Sequence, residues 1–70
     1  PVYITYRFYE PNNKRDADNV ASYGIKVIQD ALVEAGIIPD DSRKHITGYA
    51  VEFYTDKTNP RIEVEIRSGQ

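Results

Sequence analysis

Apolar and polar side chains alternate with a period of two over residues 2–9. Val2, Ile4, Tyr6 and Phe8 fall on one side, and Tyr3, Thr5, Arg7 and Tyr9 on the other. This is the signature of a strand with one buried face. Glu10-Pro11-Asn12-Asn13 brings turn chemistry and ends it. The period then changes to three and four: Val20, Tyr23, Val27, Ile28, Ala31, Leu32 and Ala35 form the core stripe of a helix predicted over about 19–35. Asp18 or Asn19 supplies an N-cap, since its side-chain oxygen can accept a free backbone N–H. Gly36 suits the left-handed position that follows many helices. After an irregular stretch at 37–44, period two returns over 46–54, with Tyr49, Val51 and Phe53 on one face. A turn at 56–60 precedes a third strand over 61–67, where Ile62, Val64 and Ile66 alternate with Glu63, Glu65 and Arg67.

The order β-α-β-β predicts an α+β fold in which one long helix packs on a small mixed three-stranded sheet. The short turn predicts that the last two strands form an antiparallel hairpin. The crossover rule makes the first two parallel. Both pairings are met if the third strand lies in the middle, so the expected strand order is 1-3-2. The outer strands keep open edges, a route to dimerisation.

Composition narrows the class. With 70 residues the chain makes one domain, 1–70, which buries only about 60% of its unfolded surface. Hydrophobic residues are 40% and charged residues 29%, which excludes a disordered chain. The absence of cysteine excludes a disulfide framework and a thiolate metal site. A domain this small and without staples relies on a partner or a second subunit. No apolar run approaches the ~18 residues of a membrane span and no signal-peptide pattern opens the chain, so a cytoplasmic location is expected. The first residue is Pro1, so either an initiator methionine was removed or the chain is a piece of something longer. The net charge of −2 argues against a dedicated non-specific DNA binder.

The candidate chemistry lies at the two ends of the helix. Lys14-Arg15-Asp16-Ala17-Asp18-Asn19 precedes it, and Pro39-Asp40-Asp41 follows it. Hard divalent cations take oxygen ligands, usually one or two carboxylates with retained waters. Such an ion clamps a phosphate and activates water for hydrolysis. The pattern therefore reads as a metal-dependent phosphodiester site. The plainer reading is that Asp16 and Asp18 cap the helix and complement its dipole, worth about 0.5–2 kcal/mol at an N-cap. For Asp40 alone, an acidic turn is the better reading. Lys14, Arg15, Arg43 and Lys44 are either phosphate contacts or solvated charges. His45 is too isolated for a catalytic dyad. The tyrosines fit strand packing, with base stacking by Tyr3, Tyr9 and Tyr54 as the alternative. No glycine-rich phosphate loop, zinc motif or serine–histidine arrangement is present.

Arg15-Asp16-Ala17-Asp18-Asn19, then Asp30-Ala31-Leu32, Ala35-Gly36 and Asp40-Asp41, resembles the core motif of the RusA-type Holliday-junction resolvases, common in phages and prophages. The resemblance spans residues 2–66. It implies that Asp16, Asp18 and Asp41 are the metal-binding catalytic aspartates. Lys26 matches a family lysine four residues before the DAL segment, and would stabilise charge on the phosphate or the leaving oxygen. The resemblance further implies a homodimer that uses Mg²⁺ or Mn²⁺ to nick branched DNA symmetrically, with no organic cofactor and no membrane, in a bacterial host or phage-infected cell. Lys14, Arg15, Arg43 and Lys44 would contact backbone phosphates. The chain departs from the pattern in about four extra residues before the DAL segment, in its acidic balance and in lacking an N-terminal segment before the first strand. A non-catalytic or truncated relative, serving as an interaction module or small structural dimer, is the alternative reading.

Topology sets a condition on such a site. The helix runs back along the first strand by ~25 Å, which leaves Asp41 at the far end from Asp16 and Asp18. Either residues 37–44 double back, with a reach of up to ~28 Å, or Asp41 of one subunit completes the aspartate pair of another. The second route is the expectation favoured here, because the small core and open edges already call for a partner.

Overall fold

The structure, a computed structural model, describes residues 1–14, 17–40 and 42–68, and only the backbone of residues 17 and 18. The elements run β1 (Val2–Glu10), α1 (Ala17–Glu34), β2 (Ile46–Thr55) and β3 (Arg61–Ser68). The α+β class and the mixed three-stranded sheet are as expected, but the strand order is not. It is β2-β1-β3, with β2 parallel and β3 antiparallel to a central β1. The expected order 1-3-2 and the β2–β3 hairpin are both overturned.

The cause is legible in the side chains. On the face away from the helix, Arg7 pairs with Glu52 of β2 across 3.1 Å and with Glu65 of β3 across 2.8 Å. A central β3 would instead have set its glutamates beside Glu52, and like charges directly opposite are destabilising. On the helix-facing side Ile4, Tyr6 and Phe8 are fully enclosed, whereas Ile62, Val64 and Ile66 of β3 remain 37–45% exposed. The strand with the largest enclosed apolar side chains takes neighbours on both sides.

Residues 56–60 therefore cross the end of β1 and bridge two strand spacings, about 10 Å. Asp56 ties this crossing down. Its N–H donates to the Glu10 carbonyl at 2.7 Å, and its Oδ1 accepts from the N–H groups of Thr58 and Asn59. The apolar sheet face is the expected one: Ile4 lies between Tyr49 and Ile66, Tyr6 between Val51 and Val64, Phe8 between Phe53 and Ile62.

Helix α1 begins two residues earlier than predicted, so Asp18 and Asn19 lie inside its first turn and neither is the N-cap. It ends as predicted. Gly36 adopts φ 75°, its N–H reaches the Val33 carbonyl and that of Ile37 the Leu32 carbonyl, both at 3.0 Å. These are the two bonds of a Schellman motif. The helix runs antiparallel to β1, with Gly24 over Phe8 and the Gln29 amide donating to the Tyr6 hydroxyl at 3.2 Å. Gly24 allows the close approach, since a Cβ there would lie 2.5 Å from the Phe8 ring.

One helix is too narrow to cover three strands. Val20, Ile28 and Leu32 pack on the core as predicted. Tyr23 and Val27, expected in the core stripe, are instead 77% and 47% exposed on the β3 side of α1.

Candidate active site

The two acidic segments sit at opposite ends of α1. Asp16, Arg15 and Asp41, and the side chain of Asp18, lie outside the described residues. Their described neighbours fix the ends of the problem. Ala17 opens α1 after the bend that follows Glu10, and the Lys14 N–H donates to Asn12 Oδ1 at 3.0 Å in that bend. Asp40 and Ser42 lie past the other end of the helix. The Ser42 carbonyl accepts from the N–H groups of His45 and Ile46, and the His45 carbonyl accepts from the Val2 N–H at 2.7 Å. That is where β1 starts, while Ala17 follows its end. The eighteen residues of α1 span about 27 Å at 1.5 Å each.

The described part of the 37–44 segment does not double back along this length. The N–H groups of Ile37 and Ile38 both reach the Leu32 carbonyl, and Ile38 is buried at 3% exposure. An enclosed isoleucine anchors the segment to the C-terminal end of the helix. Among the described residues no group of three or more His, Asp or Glu side chains is placed to hold a metal ion.

Asp40 is already committed. Its carboxylate is held below the usual range first by the hydrogen bonds from Ser42, side chain and backbone, with His45 and Lys44 adding to the effect. Its Oδ1 accepts from the Ser42 N–H at 2.9 Å and lies 3.3 Å from His45 Nδ1. The local turn thus consumes the first aspartate of the pair, in keeping with the turn reading of that residue.

Lys26 lies near the middle of α1, about 13 Å along the axis from Ala17. Its ammonium pairs with Asp30 across 3.1 Å, one turn on, and is mostly in solvent. Arg43 and Lys44 are exposed in the turn beyond the helix, and Lys14 is exposed at its other end. Neither Lys14, Arg43 nor Lys44 makes an ion pair among the described residues.

The outer face of the sheet is internally matched. Tyr9 and Tyr54 stack on each other at 4.9 Å and 16°, Arg61 lies 3.8 Å above the Tyr9 ring, and Arg67 lies 5.4 Å from that of Tyr3. Arg61 pairs with Asp56 and Glu63, both at 2.8 Å. The rings and guanidinium groups are occupied with one another, which favours strand packing over base stacking for Tyr3, Tyr9 and Tyr54. Tyr6 is the residue that sequence reasoning took only as apolar. Burial pushes its hydroxyl pKa up, against a lowering effect from the Gln29 hydrogen bond. The available signal was Gln29 itself, a polar residue bordering the helix's buried stripe.

The described residues define a small α+β domain with one helix on a three-stranded sheet, Lys14 exposed before that helix and Asp40, Arg43 and Lys44 exposed after it. The family model of endodeoxyribonuclease RusA matches residues 4–67, nearly the whole chain. The chain belongs to the RusA endodeoxyribonuclease family. No curated protein and no solved structure matches it. No helix among the described residues is long and apolar enough to cross a membrane.

Proposed function

We propose that this domain is a divalent-metal-dependent endonuclease that nicks four-way or otherwise branched DNA, and that its active sites are shared between two copies of the chain. The family match over residues 4–67 carries the reading. Asp16 and Asp18 of one subunit, with Asp41 of the other, would hold Mg²⁺ or Mn²⁺. A carboxylate set suits such a hard cation. The separation of the helix ends supports division between subunits, and the engagement of Asp40 by Ser42 and His45 supports Asp41 as the ligand of its pair. When bound, the ion would supply an activated water and offset charge on the phosphate.

The chain's own residues position the substrate. Lys14 and Arg15 at one end of α1, and Arg43 and Lys44 at the other, supply point charges for backbone phosphates, which set register rather than sequence. Lys26 stands between them on the helix and would release Asp30 to meet a phosphate oxygen. The open edges of β2 and β3 and the half-exposed Val27, Val64 and Ile66 provide surface for the second copy.

A labelled four-way junction incubated with Mg²⁺, Mn²⁺ or a chelator tests the proposal, with Asp16→Asn and Asp18→Asn as variants whose fold is checked by circular dichroism. The expected outcome is metal-dependent nicking by the parent and none by the folded variants. If both variants cut like the parent, the aspartates serve only the helix terminus. If the parent neither binds nor cuts, the alternative of a non-catalytic interaction module stands.

A further inference from the structure

The residues of β3 form a palindrome: Arg61-Ile62-Glu63-Val64-Glu65-Ile66-Arg67 reads alike in both directions. β3 is an edge strand bonded to β1 alone, so one row of its backbone N–H and C=O groups faces away from the sheet. Its helix-facing side chains Ile62, Val64 and Ile66 are each more than a third exposed, and above them on the same flank stand Tyr23 and Val27 of α1, both exposed. The other flank differs. On the β2 side the rim of α1 is polar, with Ser22, Lys26 and Gln29, and the rings of Tyr49 and Phe53 already rest against Tyr6 and Phe8.

We propose that β3 pairs with β3 of a second copy, antiparallel and centred on Glu63, so that two copies make one continuous sheet with both helices on the same face. The inference rests on the shared-site reading above and names the surface that brings the copies together. Charge narrows the register. Centring on Val64 would set Arg61 against Arg67 and Glu63 against Glu65 of the other copy, like charges that oppose pairing. Centring on Glu63 sets Arg61 opposite Glu65 and Ile62 opposite Val64, twice each by symmetry. The two Glu63 carboxylates then meet at the axis, each already held by its own Arg61 at 2.8 Å. Centring on Glu65 also matches charge, and there position decides. Glu63 lies opposite Arg7, between Phe8 and Tyr6, which sit under Gly24 and Gln29. An axis at Glu63 therefore passes the middle of α1 (Ala17–Glu34), and the start of each helix comes level with the end of the other. Glu65 is level with Thr5, beyond Gln29, where that match is lost.

The same pairing covers the apolar flank. β1 and its counterpart stand three strand spacings apart, about 14 Å. Helices in direct contact lie about 8–10 Å apart, so α1 and its counterpart leave room for side chains between them. Tyr23 and Val27 of both copies fill that channel above Ile62 and Val64.

The whole chain has no cysteine, so a single introduced thiol reports the register. Residues directly opposite in an antiparallel pair have Cα atoms about 4.5–5.5 Å apart, within the span of a disulfide. Under mild oxidation and without DNA, Glu63→Cys should link to itself as a covalent dimer on denaturing gels. Glu65→Cys should not, since its counterpart lies four residues along the strand, about 14 Å away. Val64→Lys, which places two ammonium groups in the apolar strip, should weaken the dimer by more than about tenfold on analytical ultracentrifugation. Linking of Glu65→Cys in place of Glu63→Cys, or a dimer that neither variant links, overturns this contact and leaves the nuclease reading standing. A chain that stays monomeric while cutting junctions overturns both the contact and the shared site. A Glu63→Cys dimer that links as expected, from a parent that cuts no junction, keeps the contact and removes the nuclease reading.

Discussion

Mixing two variants, each expected to be inactive alone, is the most direct probe of the proposed shared site. Oxygen ligands of one Mg²⁺ lie at 2.0–2.1 Å from the ion and hence within about 4 Å of each other. The described neighbours of the two acidic segments are separated by a helix of about 27 Å, a gap no pair of aspartate side chains bridges. Asp16→Asn leaves a chain with Asp41 intact, and Asp41→Asn leaves a chain with Asp16 and Asp18 intact. After unfolding and refolding an equal mixture, about half of two-fold dimers should pair one variant with the other. Each such dimer has one site carrying both lesions and one carrying neither, so about a quarter of all sites should be whole. The mixture should therefore nick a labelled junction at about a quarter of the parent rate, while each variant alone is inactive. Because only one site per mixed dimer works, the products should be single nicks rather than paired cuts. If the mixture is as inactive as its components although mixed dimers are detected by mass spectrometry, the three aspartates act within one chain.

Other consequences are open to measurement. Gly24→Ala should lower the melting temperature by several degrees: overpacking costs about 1–3 kcal/mol, more than the ~1 kcal/mol that alanine gains over glycine within a helix. A rise on thermal denaturation would show that α1 does not ride as close to Phe8 as the 2.5 Å approach requires. Neutralising Lys14 and Arg15 together should flatten the salt dependence of junction affinity by about two units on a log–log plot; an unchanged slope removes them as phosphate contacts. The carboxylates of Glu65 and Asp56 are held below their usual values chiefly by hydrogen bonds from Arg7 and Arg61. Depressed folded-state values stabilise the native state above the ordinary carboxylate range, and that contribution is lost as pH falls through the folded values. The melting temperature should thus drop as pH goes below about 4, with a shallower drop in Arg7→Met; equal slopes for both proteins would count against the ion-pair ladder.

The sequence revealed the elements better than their arrangement. Alternation at Val2, Ile4, Tyr6 and Phe8, and again at Ile62, Val64 and Ile66, marks the buried face because side-chain direction in a strand follows from position alone. Strand order is a pairwise property. It turned on Arg7 finding Glu52 on one side and Glu65 on the other, and nothing in the local pattern of any one strand announces that. Chain proximity of β2 and β3 suggested a hairpin that the charges oppose. The helix stripe was overread at Tyr23 and Val27 for a related reason: periodicity shows which face is apolar but not how wide a partner surface that face will meet. At the candidate site, the turn role of Asp40 was legible from Pro39-Asp40-Asp41, and the structure supplies its partners. The placement of Asp16, Asp18 and Asp41 side chains lies outside the described residues, so their roles rest on the proposed function.

The acidic net charge, which argued against a DNA partner, loses much of its force once the charges are located. Arg7, Arg61 and Arg67 are engaged with Glu52, Asp56, Glu63 and Glu65 on the outer sheet face. Those charges largely cancel at short range, and Debye screening of about 8–10 Å at physiological salt limits what they contribute elsewhere. Among the described residues, the cations without an ion pair are Lys14, Arg43, Lys44 and Lys57. Three of these four lie at the ends of α1. In a two-fold pair that brings the start of one helix beside the end of the other, Lys14 of one copy and Arg43 and Lys44 of its partner would flank the same cluster of aspartates. On the proposed function a single subunit would offer DNA two weak, separated contacts, whereas the pair would offer two complete ones related by symmetry. A four-way junction presents symmetry-related strands to such a pair. The proposed arrangement that would gather the carboxylates would therefore also gather the cations, and a net charge of −2 per chain is compatible with a locally basic grip at each such site.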